Sequence, residues 1–101
     1  MGRTMTHPFD LTGRRALVTG SSRGIGLAVA RSLLEAGAHV IIHGRAAAGA
    51  EATAAVLAEE FGDAAVSAAA FDVTDEASVV DGIDDIEAVG PFDILVNNAG
   101  V

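Results

Sequence analysis

The sequence contains no cysteine, tyrosine, tryptophan or lysine among its 101 residues, and its six basic residues are all arginine. Without cysteine, the chain has no disulfide, no thiolate nucleophile and no cysteine-ligated zinc. Without tyrosine and lysine, it has no phenol that a neighbouring ammonium could turn into a general acid or base near neutral pH. No apolar run approaches the roughly 20 residues of a membrane span, and residues 1–12 lack the apolar core of a signal peptide. We therefore expect a cytoplasmic chain.

The charge balance is strongly acidic, with a formal net charge of −8. Such a chain is a poor partner for nucleic acid or an anionic membrane, because phosphate-rich surfaces are bound by clustered positive charge. Half of the residues are hydrophobic and 20% are charged, which is typical of a globular domain. We expect one domain at 13–101, preceded by a leader at 1–12.

Hydrophobic periodicity predicts an alternation of strands and helices. Strands are expected at 15–20, 39–43, 65–72 and 93–97, and helices at 24–36, 49–61 and 75–89, with Thr74 as the cap of the last helix. This βαβαβαβ order predicts a Rossmann-type α/β fold, a parallel sheet with flanking helices. The last strand is apolar on both faces, as in a central strand of such a sheet. We therefore expect the incomplete N-terminal part of a larger domain.

The most informative segment is the glycine-rich run at 19–26, which lies between the first strand and the first helix. The first N–H groups of a helix have no intrahelical partners, and the peptide dipoles place partial positive charge there. Gly20 would permit the sharp exit from the strand, and Gly24 would let the backbone approach a pyrophosphate. Gly26 would let the helix press against the sheet. The alternative is a glycine-rich turn with no ligand.

Three motifs of this chain resemble those of the short-chain dehydrogenase/reductase family. The first is Thr19 followed by the spacing Gly-x-x-x-Gly-x-Gly, the second is Asn-Asn-Ala-Gly at 97–100 after an apolar strand, and the third is the Asp72-Val73 pair. The resemblance runs from about residue 9 to residue 101. It implies an oxidoreductase that interconverts a secondary alcohol and a ketone with a nicotinamide dinucleotide. Within the family, the chain is most similar to members acting on gluconate/5-ketogluconate, and next to reductases of 3-oxoacyl-carrier-protein.

The resemblance also implies which residues surround the cofactor. Asn97 would instead tie neighbouring strands together, and the serines of the loop would donate to phosphate rather than act as nucleophiles. The residues implied to bind the cofactor are Gly20, Ser21, Ser22, Arg23, Gly24, Ile25, Gly26, Arg45, Asp72, Val73, Asn98, Ala99 and Gly100.

The choice between NADP and NAD depends on the segment after the second strand. An acidic residue there would hold the ribose diol of NAD, whereas an arginine accommodates the 2′-phosphate of NADP. The segment reads His43-Gly44-Arg45, with no carboxylate before Glu51, and Arg23 is a second possible phosphate contact. NADP is therefore favoured over NAD, although Arg45 could also be an ordinary solvated arginine.

No catalytic residue is assigned within the chain, because the tyrosine, lysine and serine of the family's chemistry lie beyond the region covered. His39 and His43 share a strand face but stand about 13 Å apart by strand geometry, so we expect structural roles rather than a metal site. The acidic stretch at 81–87 is expected to be solvated. Alternatives to an enzyme part are a nucleotide-binding module without catalysis and a truncated product. A homo-oligomer is possible by resemblance.

Overall fold

The computed structural model describes residues 10–98, which form four strands and three helices in strict alternation. A short 3-10 turn at Asp63–Ala65 precedes the third strand. The elements are β1 (Arg15–Val18), α1 (Gly24–Glu35), β2 (His39–Gly44), α2 (Ala47–Phe61), β3 (Val66–Ala70), α3 (Glu76–Val89) and β4 (Ile94–Val96). The predicted βαβαβαβ order is confirmed.

All strand pairs are parallel, and the spatial order of the strands is β3-β2-β1-β4. Ala16 of β1 stands between Val40 of β2 and Ile94 of β4. Parallel neighbours require crossover connections, which the three helices provide. The sheet therefore has the expected Rossmann topology, in which β1 is an interior strand whose carboxyl end leads into the glycine-rich loop.

The two faces of the sheet bury separate clusters of side chains, because successive strand residues point to opposite faces. On one face, α1 and α2 pack against Ala16, Val18, Val40 and Ile42. On the other face, Leu17, Ile41 and Phe71 pack against α3, whose buried side is formed by Val79, Ile83 and Ile86. These three residues recur at helical spacing, and the acidic residues Asp81, Asp84, Asp85 and Glu87 are exposed as expected.

Every element differs from its predicted bounds by one or more residues at one end or both, and the largest differences are at β1, α2 and β3. β1 ends at Val18 because Gly20 turns the chain with a φ of 63°. β3 ends at Ala70, before Asp72, and β4 covers only three residues. The predicted cap Thr74 is wrong: Asp75 caps α3, and its carboxylate accepts from the backbone N–H groups of Ala77 and Ser78.

The apolar strand β4 is at an edge of the four-stranded sheet rather than at its centre. Leu95 points to the same face as Leu17, and it is 56% exposed. Within residues 10–98, this face of β4 is therefore left uncovered, in keeping with the expected incomplete part of a larger domain. In that same range, no helix is long and apolar enough to cross a bilayer.

Candidate cofactor site

The loop between β1 and α1 presents an open helix N-terminus at the carboxyl end of the sheet. Gly20 and Gly24 have positive φ angles of 63° and 65°, a conformation that side chains with a Cβ rarely adopt. A Cβ at Gly24 would meet no atom within 4 Å. No side chain of residues 10–98 caps α1, whose N-cap is Arg23 and whose first turn holds no acidic residue. The first amides of α1 can therefore bind an anion.

Gly26 is the third residue of α1, where the helix meets the beginning of the glycine loop. A Cβ there would stand 2.2 Å from the carbonyl oxygen of Gly20 and 2.8 Å from Nδ2 of Asn98. No side chain fits in that space, so the close approach expected of this glycine is confirmed. The contact is with the backbone of the loop and with Asn98, the second residue after β4, whereas the prediction was an approach to the sheet.

Ser21 holds the loop to the two central strands through its side chain. Its hydroxyl donates to the carbonyl oxygen of Val18 at 2.7 Å and accepts from the backbone N–H of His43 at 2.8 Å. The backbone N–H of Ser21 in turn donates to the carbonyl oxygen of His43 at 2.9 Å. Because this hydroxyl is fully buried and already bonded, the expectation that it donates to phosphate does not fit the structure.

The imidazole of His43 lies directly beneath the glycine loop. The Gly20 N–H donates to Nδ1 at 2.9 Å, and Nε2 lies 2.9 Å from the carbonyl oxygen of Phe71. The Phe71 ring packs against the imidazole with a centroid separation of 4.1 Å. Burial lowers the pKa of His43 below its usual value, while the bond to the Phe71 carbonyl opposes that shift.

The structural role expected for the two histidines is confirmed. His39 contacts the carbonyl oxygen of Ala64 at 2.8 Å and the hydroxyl of Ser67 at 3.0 Å. Among the described residues, no cluster of histidine, aspartate or glutamate could hold a metal ion.

Two of the predicted site residues, Arg45 and Asp72, form an ion pair. An Arg45 guanidinium nitrogen lies 3.2 Å from a carboxylate oxygen of Asp72. The other carboxylate oxygen accepts from the N–H and the hydroxyl of Thr74. These bonds from Thr74, together with the charge of Arg45, lower the pKa of Asp72. The Arg45 side chain is 80% exposed, so its charge faces the solvent beside the loop.

The end of β4 is joined to the end of β1 by polar contacts. The Asn98 N–H donates to the Thr19 hydroxyl at 2.9 Å, and Nδ2 of Asn98 donates to the carbonyl oxygen of Gly20 at 3.2 Å. The Thr19 hydroxyl also lies 3.3 Å from Oδ1 of Asn97. Asn97 therefore links neighbouring strands, as expected, and the side chain of Asn98 supports the glycine loop.

The remaining predicted residues have varied surroundings. Arg23 and Ile25 are exposed, and Val73 packs against the cluster beneath α3. Ser22 is half-buried, and its carbonyl oxygen accepts from the Thr53 hydroxyl at 2.8 Å. That contact to α2 was not predicted, because Thr53 carries no motif that relates it to a loop 31 residues earlier. Two further predicted residues, Ala99 and Gly100, lie outside the described residues.

A parallel sheet whose interior strand leads through a glycine loop into an uncapped helix defines a dinucleotide-binding Rossmann fold. The family model described as short chain dehydrogenase matches residues 14–101. The chain therefore belongs to that family, whose members use NAD(P).

The similar proteins are longer than this chain. Gluconate 5-dehydrogenase of Gluconobacter oxydans (strain 621H) is 48% identical over 100 residues, which cover 96% of this chain and 38% of that protein. 5-Keto-D-gluconate 5-reductase of Escherichia coli (strain K12) is 42% identical over 98 residues, with the same coverage. The crystal structure of a gluconate 5-dehydrogenase from Burkholderia cenocepacia J2315 in complex with NADP and tartrate is 54% identical, with a TM-score of 0.77. That match covers 92% of this chain and 36% of the solved one. The chain thus spans little more than a third of these relatives.

Proposed function

We propose that this chain is the N-terminal, NADP-binding part of a short-chain oxidoreductase that interconverts a secondary alcohol and a ketone. The observation that carries the proposal is the uncapped N-terminus of α1, reached through two positive-φ glycines, beside the exposed guanidinium of Arg45. In this proposal residues 13–101 are part of a Rossmann domain and residues 1–12 are a leader. The proposed location is the cytoplasm.

The described residues fit a dinucleotide diphosphate. The first amides of α1 would donate to it, and the open space beside Gly24 would admit it without a clash. Asp72 and Val73 would lie along the adenine, and residues 98–100 would line the cofactor near β4. A bound nicotinamide supplies or accepts the hydride. The residues of this chain bind and orient that cofactor, and none of them is proposed to transfer the substrate proton.

Arg45 supports NADP over NAD. The five residues that follow Arg45 carry no carboxylate, so a ribose diol finds no acidic acceptor there. The guanidinium is held at the site by Asp72, and a 2′-phosphate would compete with that carboxylate for it. A relative that is 54% identical was solved in complex with NADP.

A sugar acid of the gluconate/5-ketogluconate type is the proposed substrate of the complete protein. The relatives named for gluconate and for 5-ketogluconate support it, since both match almost the whole chain.

The cofactor choice is tested by titrating the natural polypeptide that carries this sequence with NADPH and with NADH. Arg45→Ala should weaken NADPH binding by about 1–3 kcal/mol, roughly 5-fold to 150-fold, because a charge-assisted bond to the 2′-phosphate is lost. NADH has no 2′-phosphate, so its affinity should change little. Calorimetry or nucleotide fluorescence measures both.

Arg14→Ala is the matched control, because Arg14 is also exposed and lies near a carboxylate, that of Asp93, but precedes β1 at the opposite end of the sheet. It should leave both affinities unchanged. Equal NADPH affinity in Arg45→Ala and the unaltered protein would refute the phosphate role of Arg45. Failure of the folded protein to bind either nucleotide would refute the proposed function itself.

A further inference from the structure

His43 is a buried polar side chain that bonds to two other chain segments at the carboxyl end of the sheet. It lies near the end of β2 and is only 2% exposed. Its ring contacts Gly20 of the glycine loop on one side and Phe71, just after β3, on the other. The segment proposed to hold the diphosphate and the segment proposed to flank the adenine are thus joined through one imidazole.

The protonation of this ring is determined by its two partners. The Gly20 N–H can only donate, so Nδ1 must be the unprotonated acceptor. The Phe71 carbonyl oxygen can only accept, so Nε2 must carry the proton. Both bonds are made only by the neutral Nε2–H tautomer. A second proton, on Nδ1, would face the Gly20 N–H and break that bond.

We propose that neutral His43 is a positioning residue that holds the Gly20 amide, and with it the glycine loop, in the conformation that accepts a dinucleotide diphosphate. This inference rests on the proposed function, since it concerns the same loop. It adds that protonation of one buried ring weakens nucleotide binding. Both NADPH and NADH would be affected, because the diphosphate is common to them.

The surroundings of the ring favour the neutral form. The Phe71 ring and the buried end of the sheet desolvate it, and its pKa is lowered as a result. The charged side chains on the flanking segments are Arg23, Arg45, Asp72 and Asp75. None of them makes a hydrogen bond or ion pair with the ring within residues 10–98: Arg45 pairs with Asp72, and Asp75 caps α3. The ring therefore has no described counter-ion that would stabilise its charged form.

The test uses two variants that separate the hydrogen bond from the titration. His43→Asn keeps an acceptor oxygen near the position of Nδ1 but cannot be protonated, whereas His43→Leu removes the acceptor. His39→Asn is the control, because His39 is on the same strand and bonds only to Ala64 and Ser67, away from the loop. NADH and NADPH affinities are measured for each protein between about pH 8 and about pH 5, the range that spans ordinary histidine titration.

At about pH 8, His43→Leu should weaken the binding of both nucleotides by roughly tenfold, the effect of an unsatisfied buried amide. His43→Asn keeps an acceptor for the Gly20 N–H but loses the bond to the Phe71 carbonyl, so it should weaken binding less than His43→Leu does, and His39→Asn should leave binding unchanged. Toward low pH, the unaltered protein should lose NADH affinity more steeply than His43→Asn. Parallel pH profiles for these two proteins would overturn the proposal.

Ring nitrogen chemical shifts of ¹⁵N-labelled histidine provide a measurement that needs no variant and no nucleotide. They should report an Nε2–H tautomer at about pH 8, and the Gly20 amide shift should follow the titration of the ring. An Nδ1–H tautomer or a charged ring at that pH would refute the positioning role. A Gly20 amide shift that does not change as the ring titrates would refute it as well. Absence of nucleotide binding alongside the expected shifts would instead refute the proposed function.

Discussion

At the scale of single residues, the glycines of this chain serve different purposes, and the structure predicts opposite results of substituting them. Gly26→Ala places a Cβ 2.2 Å from a backbone oxygen, which cannot move without shifting the loop. We expect it to lower the free energy of unfolding by about 1–3 kcal/mol, as overpacking does, and to weaken nucleotide binding.

Gly49→Ala is the matched control, because a Cβ at this position in the first turn of α2 would meet nothing within 4 Å, and its φ is not positive. It should be neutral or stabilising by about 0.5 kcal/mol, since alanine favours helix over glycine. Urea denaturation of both variants measures the two changes. Equal stability in Gly26→Ala and the unaltered protein would contradict the packing described for α1.

The polar side chains show where residue-level prediction from sequence ends. The need of His43 and Ser21 for hydrogen-bond partners could be predicted, since one is a histidine within a buried strand and the other a serine in a glycine loop. Which partners they have could not be predicted, because the bonds to Val18, Gly20 and Phe71 depend on how β1, β2 and β3 are placed side by side. Ser21 was consequently assigned to phosphate, whereas the structure uses its hydroxyl to hold the loop.

At the scale of elements, the N-terminus of α3 depends on the Asp75 carboxylate, which accepts two backbone N–H groups at 3.1 and 3.4 Å. Asp75→Ala should lower the free energy of unfolding by about 1 kcal/mol, the usual effect of losing an N-cap. Thermal or urea denaturation measures it.

Asp84→Ala removes a charge of the same sign from the exposed side of the same helix, and it should change stability by less than about 0.5 kcal/mol. If Thr74→Ala proved more harmful than Asp75→Ala, the capping assignment would have to be reversed. Both residues are good caps in sequence, and in the structure Asp75 is distinguished by its extended backbone, with φ −117° and ψ 111°, and by the two N–H groups that its carboxylate accepts.

The order and type of the elements were predictable because periodicity and glycine positions act over a few residues. Gly37, for example, has a φ of 99° and follows α1, which ends at Glu35, one residue before its predicted end. The exact ends of β1, β3 and β4 were not, since strand length depends on how far neighbouring strands stay in register. Which side of the alanine-rich helix α2 is buried could not be predicted either. In the structure Leu57 is buried, whereas its neighbour Val56 is 61% exposed.

At the scale of the whole molecule, the described pKa shifts predict that stability falls as the pH is lowered. The pKa of His43 is lower in the folded protein than in the unfolded chain, so below about pH 6.5 the unfolded chain binds protons first. The pKa of Asp72 is lowered as well, which adds a second loss below about pH 4. Urea denaturation across pH should show both declines.

His43→Asn should reduce the loss of stability that begins near pH 6.5 and leave the loss below about pH 4 unchanged. Asp72→Asn should reduce the loss below about pH 4 and leave the one near pH 6.5 unchanged. If His43→Asn still lost stability from near pH 6.5, that loss would have to be assigned to another titrating group.

The fold could be predicted more fully than the site. A parallel sheet follows from alternation and short connections, and the glycine loop follows from its position between β1 and α1. The pairing of Arg45 with Asp72 could not be predicted, because these residues are 27 positions apart and meet only through the adjacency of β2 and β3. The exposure of Leu95 likewise follows from the place of β4 in the sheet rather than from its composition.

The strand order also determines where a ligand can enter. Successive strands progress outward from β1 to β3, and the chain then returns across the sheet to place β4 on the other side of β1. A crevice opens at such a topological switch point, outside the carboxyl ends of the two strands that flank it. The bond from the Asn98 N–H to the Thr19 hydroxyl joins the carboxyl ends of these two strands. Thr19→Val would remove that bond, and the bond from Nδ2 of Asn98 to the carbonyl oxygen of Gly20 would then join the two strand ends without it.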